Sequence, residues 1–539
     1  MPPTLLDLPP ELLGNIWEEL TPVGSITTSD STGNRPQITA SFLRSRGDLA
    51  NLCRITPRLT EVATKFLYRT VLIQNQDELL NFLQTLATVP ALRSLVRCFI
   101  WAGSFSSSSD ILDVESYQKA KAFWQNMGWP ATDDEILIAD LMGLNTPDTP
   151  LASYILGAVL GLIPRVKTLF LCVGRGSGAE GGPEVNKGAR EIVTILEHDS
   201  ISLLLNPKFH TSDAKKAAAQ TEAYGFIFSS GGNRFLQEVE TLILEPYDDS
   251  WSSPLLATFI IRHFLVNSRF LRHVEIKKGA SWVVLGGKYP PVVSKTVTEL
   301  HSFGNSSPKR DISAIVTAFP NLTKLSYETS HGPRQPTSAD GRPYQYTNLA
   351  DDLNEVQHTL TVLSITSATW TSWQCITIPP MLSTNMDQLL HLKHLRTECI
   401  WLFGRNNPSQ VLESSFVLPP ALASFSLTDY WGICEDLPPF SPDPRPFYPD
   451  FGQGCSPLDF LEKVLTKLHH ACTTNLTDLR DIVIASPYFY KYAGTITPDD
   501  GSLALRDRFQ TLFAEIGVCF SVTDPIDMGK QVQASWARV

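Results

Sequence analysis

A glycine-rich loop is the first pattern in this chain that could do chemistry. The stretch GRGSGAEGG, residues 174–182, contains the spacing G-x-G-x-x-G from Gly176 to Gly181. Between a strand and a helix, this spacing lets the backbone approach the pyrophosphate of a dinucleotide, and the flanking residues here fit that context. The extra glycines, Pro183 and the acidic Glu180 suit a tight phosphate turn poorly. The alternatives are a nucleotide site and a loop between repeats, and the loop is favoured.

Other residue types that could support catalysis or bind a metal do not occur in working combinations. Ser177 lacks the upstream glycine of a nucleophile elbow, because Arg175 occupies that position. The histidine pairs at 469–470 and at 391 and 394 have no Cys, Asp or Glu beside them at ligand spacing. The sequence therefore predicts a protein that is not an enzyme and that uses no cofactor and no metal.

The composition indicates a folded chain that does not bind nucleic acid. The 539 residues are 43% apolar and 18% charged, with a formal net charge of −11 that would repel a phosphate backbone. The longest apolar run, residues 151–163, is too short to cross a bilayer, and the first residues do not resemble a signal peptide. Nine cysteines without a CxxC pair suggest reduced thiols. We therefore expect a cytoplasmic or nuclear protein that is not bound to a membrane.

A short pattern, apolar-x-x-apolar-x-apolar, recurs along the chain after residue 73. Its last two apolar positions are two residues apart, so they point to one face of a strand. Helix-like stretches separate the copies, which predicts a repeating array of strands with helices on the outer side. The copies are RVKTLFLCV (165–173), EVETLILEP (238–246), FLRHVEIKK (270–278), TVTELHSFG (296–304), NLTKLSYET (321–329), TLTVLSITS (359–367), HLKHLRTEC (391–399), ALASFSLTD (421–429) and NLTDLRDIVI (475–484).

The array is irregular. The first apolar positions at Val239, Leu271, Val297 and Leu322 are 32, 26 and 25 residues apart. Helices are predicted over residues 77–87, 187–198, 255–266, 312–319, 458–469 and 503–516. Insertions that interrupt the repeats, several of them rich in Pro, Gly or Ser, are predicted near residues 102–150, 174–189, 205–233, 331–347 and 432–457.

The residues between the inward apolar positions are the candidates for binding a target, because they face the other side of the sheet. In this register Phe170, Glu275, Lys277 and Glu328 line a concave surface, whose mixed polarity suits protein recognition. The same surface includes Ile243, Ser326, Ser364, Thr366, Ser426 and Thr428.

Aromatic residues beyond the strands form a second candidate set. Trp401 falls six residues after Leu395, the second apolar position of its strand, and Trp370 falls seven after Leu363. Equivalent positions on neighbouring repeats stack in space, so Trp370, Trp401, Tyr430 and Trp431 are predicted to form one aromatic edge. Such clusters are favoured at binding hot spots. The alternative is that these rings cover the core beneath the proline-rich loops.

The amino-terminal segment LLDLPPELLGNIWEEL, residues 5–20, reads as an amphipathic helix. Two prolines suit its first turn, and apolar residues then recur at spacings of three and four. Further helical stretches follow at residues 48–55 and 59–66, after a Ser/Thr/Gly-rich segment at 21–47 that we predict to be an inserted loop. Three short helices make a domain too small to be stable alone.

In this order, these residues resemble an F-box, the helical element that binds the Skp-type adaptor of SCF-type ubiquitin ligases. The resemblance covers roughly residues 5–73 and includes Leu67-Tyr68-Arg69 before a strand. It departs from the family in the insertion at 21–47 and in the absence of the common Trp after Cys53. The residues that the resemblance implies for adaptor binding are Leu8, Pro9, Glu11, Leu12, Leu13, Ile16, Leu49 and Leu52.

The whole chain is similar to F-box/leucine-rich-repeat receptors of the filamentous-fungal type. The resemblance implies an α/β protein with a three-helix F-box in residues 1–73 and an irregular leucine-rich-repeat solenoid in residues 74–539, a curved parallel sheet with outer helices. It also implies a substrate receptor that links an unknown target protein to the adaptor and, through it, to a cullin/RING ligase. The alternatives are a scaffold that binds the adaptor without ubiquitylation and a nucleotide-dependent enzyme that uses Gly176–Gly181.

Overall fold

The computed structural model comprises two compact units, Met1–Lys277 and Lys278–Val539. Both are α/β, and strands alternate with helices along each. The residues that the structure describes are 26–27, 37–38, 40–55, 57–102, 159–160, 162–173, 238–246, 268–277, 292–305, 308–329, 349–367, 386–403, 417–428, 457–486 and 500–523, with single positions at 261, 264, 265, 282, 382 and 489.

The first unit begins with two short strands and two helices. Strands β1 (Ile26–Thr27) and β2 (Gln37–Ile38) pair antiparallel, and helices α1 (Ala40–Leu52) and α2 (Pro57–Leu67) follow. The segment 21–47 is therefore not simply a loop, since α1 starts eight residues earlier than the helix predicted from Asp48. Alanine, leucine and arginine between residues 40 and 46 favour a helix and outweigh the single Gly47.

A small apolar core joins α1 to α2. Leu49 and Leu59 are each 3% exposed and Ala63 is fully buried. Half-buried residues pack around these three, namely Leu52, Cys53, Val62, Phe66 and Leu67. Helix α2 begins at Pro57. Proline has no amide hydrogen, and none is needed here because the first amides of a helix have no partner within it.

Parallel strands make up the rest of the first unit. They are β3 (Thr70–Ile73), β4 (Cys98–Trp101), β5 (Thr168–Val173), β6 (Thr241–Pro246) and β7 (His273–Ile276), and each pairs with the next in chain order. Helix α3 (Gln76–Thr88) connects β3 to β4, and the Asn75 side chain caps it by accepting a hydrogen bond from the Glu78 amide at 2.9 Å.

The second unit continues the same alternation of helices and parallel strands. Its elements are β8 (Glu299–Asn305), α4 (Pro308–Ala318), β9 (Lys324–Thr329), α5 (Leu349–Leu353), β10 (Val362–Ser367), β11 (His394–Glu398), α6 (Cys399–Phe403), β12 (Ser424–Thr428), α7 (Pro457–Thr474), β13 (Asp481–Ala485), α8 (Asp500–Glu515) and β14 (Cys519–Thr523). Its neighbouring strands also pair parallel in chain order. A bulge near the end of β8 places Gly304 at a φ of 71°, a conformation that favours glycine.

The inward apolar positions form continuous rows in both units, as the repeat pattern predicts. In the first unit one row runs Val71, Phe99, Leu169, Leu242 and Val274. In the second it runs Leu300, Leu325, Leu363, Leu395, Phe425, Ile482 and Phe520. Their side chains are at most 6% exposed. This burial in rows, together with the parallel pairing of the repeat strands, confirms the prediction of an α/β protein with a parallel array of strands.

The starts of strands β4 to β7 and β9 to β13 are each fixed by one carbonyl of the preceding repeat, which accepts two consecutive amides. The Arg69 carbonyl accepts from Arg97 N and Cys98 N, both at 2.9 Å. In the second unit a threonine hydroxyl can donate a third hydrogen bond to the same carbonyl. For example, Thr361 Oγ1 donates to the Thr323 carbonyl at 3.0 Å. The residues just before the strands therefore stack at equivalent positions.

Most of the predicted helices that fall on described residues are confirmed. Helices α3, α4, α7 and α8 correspond to the predictions over 77–87, 312–319, 458–469 and 503–516. Strand β14 was not predicted, because its segment lacks the leading apolar-x-x of the repeat. The helix predicted at 187–198, most of the one at 255–266, and the five predicted insertions apart from Ala102 and Pro457 lie outside the described residues.

We also compared the length and apolar character of the helices with those that crossing a bilayer requires. Of the helices that the structure describes, none combines the length and the apolar character needed to cross a membrane.

Candidate functional site

The strand positions that alternate with the inward rows carry charged groups in both units. In the first unit Phe170, Ile243 and Glu275 occupy one such row, and Cys172 lies beside Glu245 in the next. Lys277 extends this second row, because its amide donates to the Leu244 carbonyl at 2.9 Å. The structure therefore brings together three sequence-predicted site residues, Phe170, Glu275 and Lys277.

We call Phe170, Glu245, Glu275 and Lys277 the Lys277 cluster. The ammonium of Lys277 lies 3.7 Å from a carboxylate oxygen of Glu245, and their side chains are 8% and 9% exposed. The same ammonium lies 6.0 Å from the centroid of the Phe170 ring, within the range of a cation–π contact. Little water therefore reaches this ion pair.

Burial and nearby charge act in opposite directions on Lys277. Removal from water lowers the pKa of its ammonium, while the carboxylates of Glu275 and Glu245 favour the charged form and limit the shift. Glu275 also lies 3.7 Å from Nε2 of His273. The outward face at β6 and β7 thus holds both signs of charge in a partly dehydrated setting.

The second unit carries a comparable group, which we call the Glu328 cluster: Glu328, Arg396, Glu398 and Trp401. Glu328 is half-buried near the end of β9, and Arg396 is on β11. The strand between them, β10, presents only the short side chains of Ser364 and Thr366 at the matching positions. Short side chains on the middle strand leave room for the two charged groups to interact across it.

The Glu328 carboxyl group titrates near neutrality. Desolvation raises its pKa from 4.5 to about 7, and the attraction of Arg396 works against that rise. At pH 7 the protonated and the ionised forms of this carboxyl group are therefore both populated.

The other carboxylate of the Glu328 cluster is tied to an aromatic ring. Glu398 is 1% exposed, and its Oε2 accepts a hydrogen bond from Nε1 of Trp401 at 3.1 Å. Trp401 is also 1% exposed, so in this structure its ring is covered by the chain. An indole that donates to a buried carboxylate fixes the start of α6.

A buried polar network supports β9 from the inward side. Asp311 of α4 accepts hydrogen bonds from the Tyr327 hydroxyl at 2.9 Å and from the Trp282 amide at 3.1 Å. Asn305 in the β8 bulge donates through Nδ2 to the carbonyl of Glu328 at 3.0 Å. Since satisfied buried networks are rigid, this one holds the backbone of Glu328 in place.

Not all of the sequence-predicted residues can be placed. Phe170 is 1% exposed, so its ring meets Lys277 rather than solvent. Leu49 packs inside the helix pair, and Leu52 is half-buried at its edge. Those that lie outside the described residues are Trp370, Tyr430, Trp431, the Gly176–Gly181 loop, and Leu8, Pro9, Glu11, Leu12, Leu13 and Ile16.

The histidines weighed as metal ligands have other surroundings. The ring of His469 lies edge-on to Phe513, with 5.5 Å between the ring centroids. His394 is half-buried, and burial together with the adjacent Lys393 lowers its pKa.

Sequence reasoning missed three charged residues of these clusters: Glu245, Arg396 and Glu398. A signal was present, because each follows an inward position by one residue. In HLKHLRTEC, for example, Arg396 comes directly after Leu395. Applying the outward register to every copy of the repeat would have identified them.

Comparison with protein-family models and with curated proteins finds no match for this chain. Any function must therefore be argued from the geometry of the two clusters and of the strands that carry them. Both clusters place paired opposite charges on the outward face of a parallel ladder, an arrangement that can recognise the polar groups of another protein with a defined orientation.

Proposed function

We propose that this protein is the substrate-recognition subunit of an SCF-type ubiquitin ligase. Residues 5–73 would bind the Skp-type adaptor in the manner of an F-box, and the strand ladders would form a leucine-rich-repeat solenoid that binds the target. The subunit itself would catalyse nothing. It would raise the concentration of the target near a charged ubiquitin-conjugating enzyme.

The observation that carries the proposal is where the helix pair joins the ladder. Helix α2 ends at Leu67 and β3 begins at Thr70, so two residues separate the F-box-like helices from the first strand. One of them, Tyr68, stacks on Phe82 of α3 with 6.5 Å between the ring centroids. A short, packed connection would hold an adaptor and a target at a fixed separation, which ubiquitin transfer requires.

The small size of the helix pair also supports an adaptor contact. Among the described residues, Leu49, Leu59 and Ala63 form its buried centre, and the surrounding apolar side chains of Leu52 and Val62 are only partly covered. A core of this size is too small to stabilise a domain alone, so further apolar surface from a partner is favourable. Leu49 would then hold α1 in position, and Leu52 would lie nearer the adaptor.

Affinity purification of the full chain tests the adaptor half of the proposal. Leu8→Ala/Pro9→Ala is compared with wild type and with Val89→Ala, a control that shortens an apolar side chain at a different, exposed position of the first unit. Truncating two contacts that the adaptor would bury should cost about 1.5–3 kcal/mol each, so the affinity for the adaptor should fall at least about a hundredfold, and the recovery of adaptor and cullin should fall with it. Val89→Ala should leave recovery unchanged. Equal adaptor recovery with all three proteins would rule out the F-box assignment.

The target half needs a separate readout. Arg396→Gln should reduce the recovery of partners other than the adaptor, while adaptor recovery stays at the wild-type level. Arg506→Gln, which makes the same charge change on α8, is the matched control. If both variants retain the same partners, the Glu328 cluster does not bind the target.

A scaffold without ubiquitylation is the main alternative, and it predicts a different fate for the partner. Under the proposal, proteasome inhibition should raise the cellular level of the bound partner in wild type but not with Leu8→Ala/Pro9→Ala. A partner whose level is the same with and without inhibition would favour the scaffold.

A further inference from the structure

A basic cleft lies in the first unit, at the end where the strands begin. It is an open cleft of about 460 Å³, lined by Lys65 in the last turn of α2, by Arg69 just after that helix, by Ser94, Leu95 and Arg97 before β4, and by Lys167 before β5. Four of the six lining residues are cations, in a chain whose formal net charge is −11. Such a concentration of one sign of charge is not a consequence of composition.

Three of these cations occupy equivalent positions on successive repeats. The Arg69 carbonyl accepts the amide of Arg97, and the Arg97 carbonyl accepts the amide of Lys167 at 2.8 Å. Adjacent strands are about 4.8 Å apart, and like charges directly opposite each other destabilise a sheet. The fold does not require this row, because the matching positions before β9 and β10 are Thr323 and Thr361.

Three of these cations contact carboxylates on exposed side chains. Lys167 contacts Glu240 at 2.6 Å, Arg97 approaches Glu238 at 3.7 Å, and Lys65 approaches Glu61 at 3.6 Å. All six side chains in these pairs are at least 35% exposed. Exposed pairs of this kind contribute about 0–1 kcal/mol, so a stronger anion can displace the carboxylates at little cost.

We propose that this cleft binds the phosphate group of a phosphorylated side chain in a protein partner. Arginine presents a planar fork that matches phosphate oxygens, and lysine adds point charge, so Arg69 and Arg97 with Lys65 and Lys167 suit a dianion better than a carboxylate. Leu95 and the stems of the lysines supply an apolar wall for the peptide next to the phosphate.

The size of the cleft and the charge of the chain favour a peptide over a long polyanion. A concave site of a few hundred Å³ fits a phosphorylated side chain and its neighbours. The formal net charge of −11 would repel a nucleic acid or an anionic membrane, which are long or extended polyanions. This site is distinct from the Lys277 and Glu328 clusters and does not depend on adaptor binding.

The test is a titration of the full chain with a terminally blocked Gly-phosphoserine-Gly peptide, followed by ³¹P NMR. The key variant is Lys65→Gln/Lys167→Gln, because both side chains are at least half exposed and their loss should not unfold the protein. The control, Arg480→Gln/Arg506→Gln, removes two positive charges from the second unit, where Arg480 precedes β13 at the matching position. Unchanged melting temperatures show that both double variants are folded.

Binding should weaken about tenfold for each charged side chain removed, hence about a hundredfold in the key variant and less than about twofold in the control. Arg97→Lys, which keeps the charge but removes the planar fork, should weaken binding by an intermediate factor. Inorganic phosphate should compete, and the unphosphorylated peptide should not bind.

Three results would overturn the proposal. The first is the same affinity in the key variant and the control. The second is equal binding of the unphosphorylated peptide. The third is binding of phosphatidylserine vesicles or single-stranded DNA through Lys65 and Lys167 without any binding of the phosphopeptide.

Discussion

Glu328 should make the stability of this protein fall as pH rises towards neutrality, and Glu328→Gln should abolish that contribution. Desolvation raises its pKa in the folded protein from 4.5 to about 7. Between these values the folded chain binds a proton that the unfolded chain has released, so stability decreases with rising pH. Above pH 7 the folded state must hold a desolvated carboxylate, and the penalty is complete.

The magnitude follows from the shift. About 2.5 pKa units at 1.36 kcal/mol each amount to roughly 3 kcal/mol, an upper value because the side chain is half-buried. Glutamine has nearly the same shape and does not ionise. The variant should therefore match wild type at pH 4.5 and exceed its free energy of unfolding by up to about 3 kcal/mol at pH 8.

Urea unfolding of both proteins at pH steps from 4.5 to 8.5 measures this difference and cancels the titration of all other groups. Arg396→Gln serves as a second variant. Removing the cation should raise the pKa of Glu328 further, so the fall in stability should begin at the same pH and continue to a higher pH. Glu355→Gln, at an exposed position in the same unit, is the control for the loss of a carboxylate. A stability difference between Glu328→Gln and wild type that is constant across this range would refute the reasoning.

Three further substitutions test the backbone and the buried network, each by the midpoint of urea unfolding. Gly47 lies in α1, and no atom lies within 4 Å of the point that an alanine methyl group would occupy, so Gly47→Ala should stabilise the protein by about 0.5–1 kcal/mol. Gly517 has a φ of +76° in the turn that ends α8, a conformation that alanine rarely adopts. Gly517→Ala should therefore lower the free energy of unfolding by about 1–2 kcal/mol, although space for the methyl group is available. Equal effects at the two glycines would contradict this argument from backbone conformation. Tyr327→Phe removes a hydrogen bond to the buried carboxylate of Asp311 and should cost about 1.5–3 kcal/mol, and a neutral result would mean that another donor replaces the hydroxyl.

The repeat pattern was sufficient to predict most of the parallel strands and their inward faces, although not β14. Leucine, valine or phenylalanine two residues apart marks a strand with one buried face, and the rows through Leu169 and Leu363 follow directly. Helices α3, α4, α7 and α8 were equally evident from the 3.6-residue spacing of their apolar residues. The start of α1 was predicted too late, because a segment rich in Ser, Thr and Gly obscures the helix-forming residues that follow it.

The sequence was enough to assign the outward positions to one face of the strands. It did not show what surrounds their side chains. Alternation predicts that Lys277 and Glu328 lie opposite the inward rows, and nothing in the local sequence indicates that burial would lower the pKa of one and raise that of the other. Desolvation depends on what covers a side chain, and that is set by residues far away in the chain.

What the amino-acid sequence determined by itself is periodic and local: the order of strands and helices, the face that each strand buries, and the resemblance of its first residues to an F-box. Tertiary structure alone decided which charged groups meet. Arg69, Arg97 and Lys167 are 98 residues apart from first to last, and only the shared carbonyl bonds at the strand starts bring them into one row. The physical reason is that strand pairing converts equal positions in distant repeats into neighbours about 4.8 Å apart, whatever the length of chain between them.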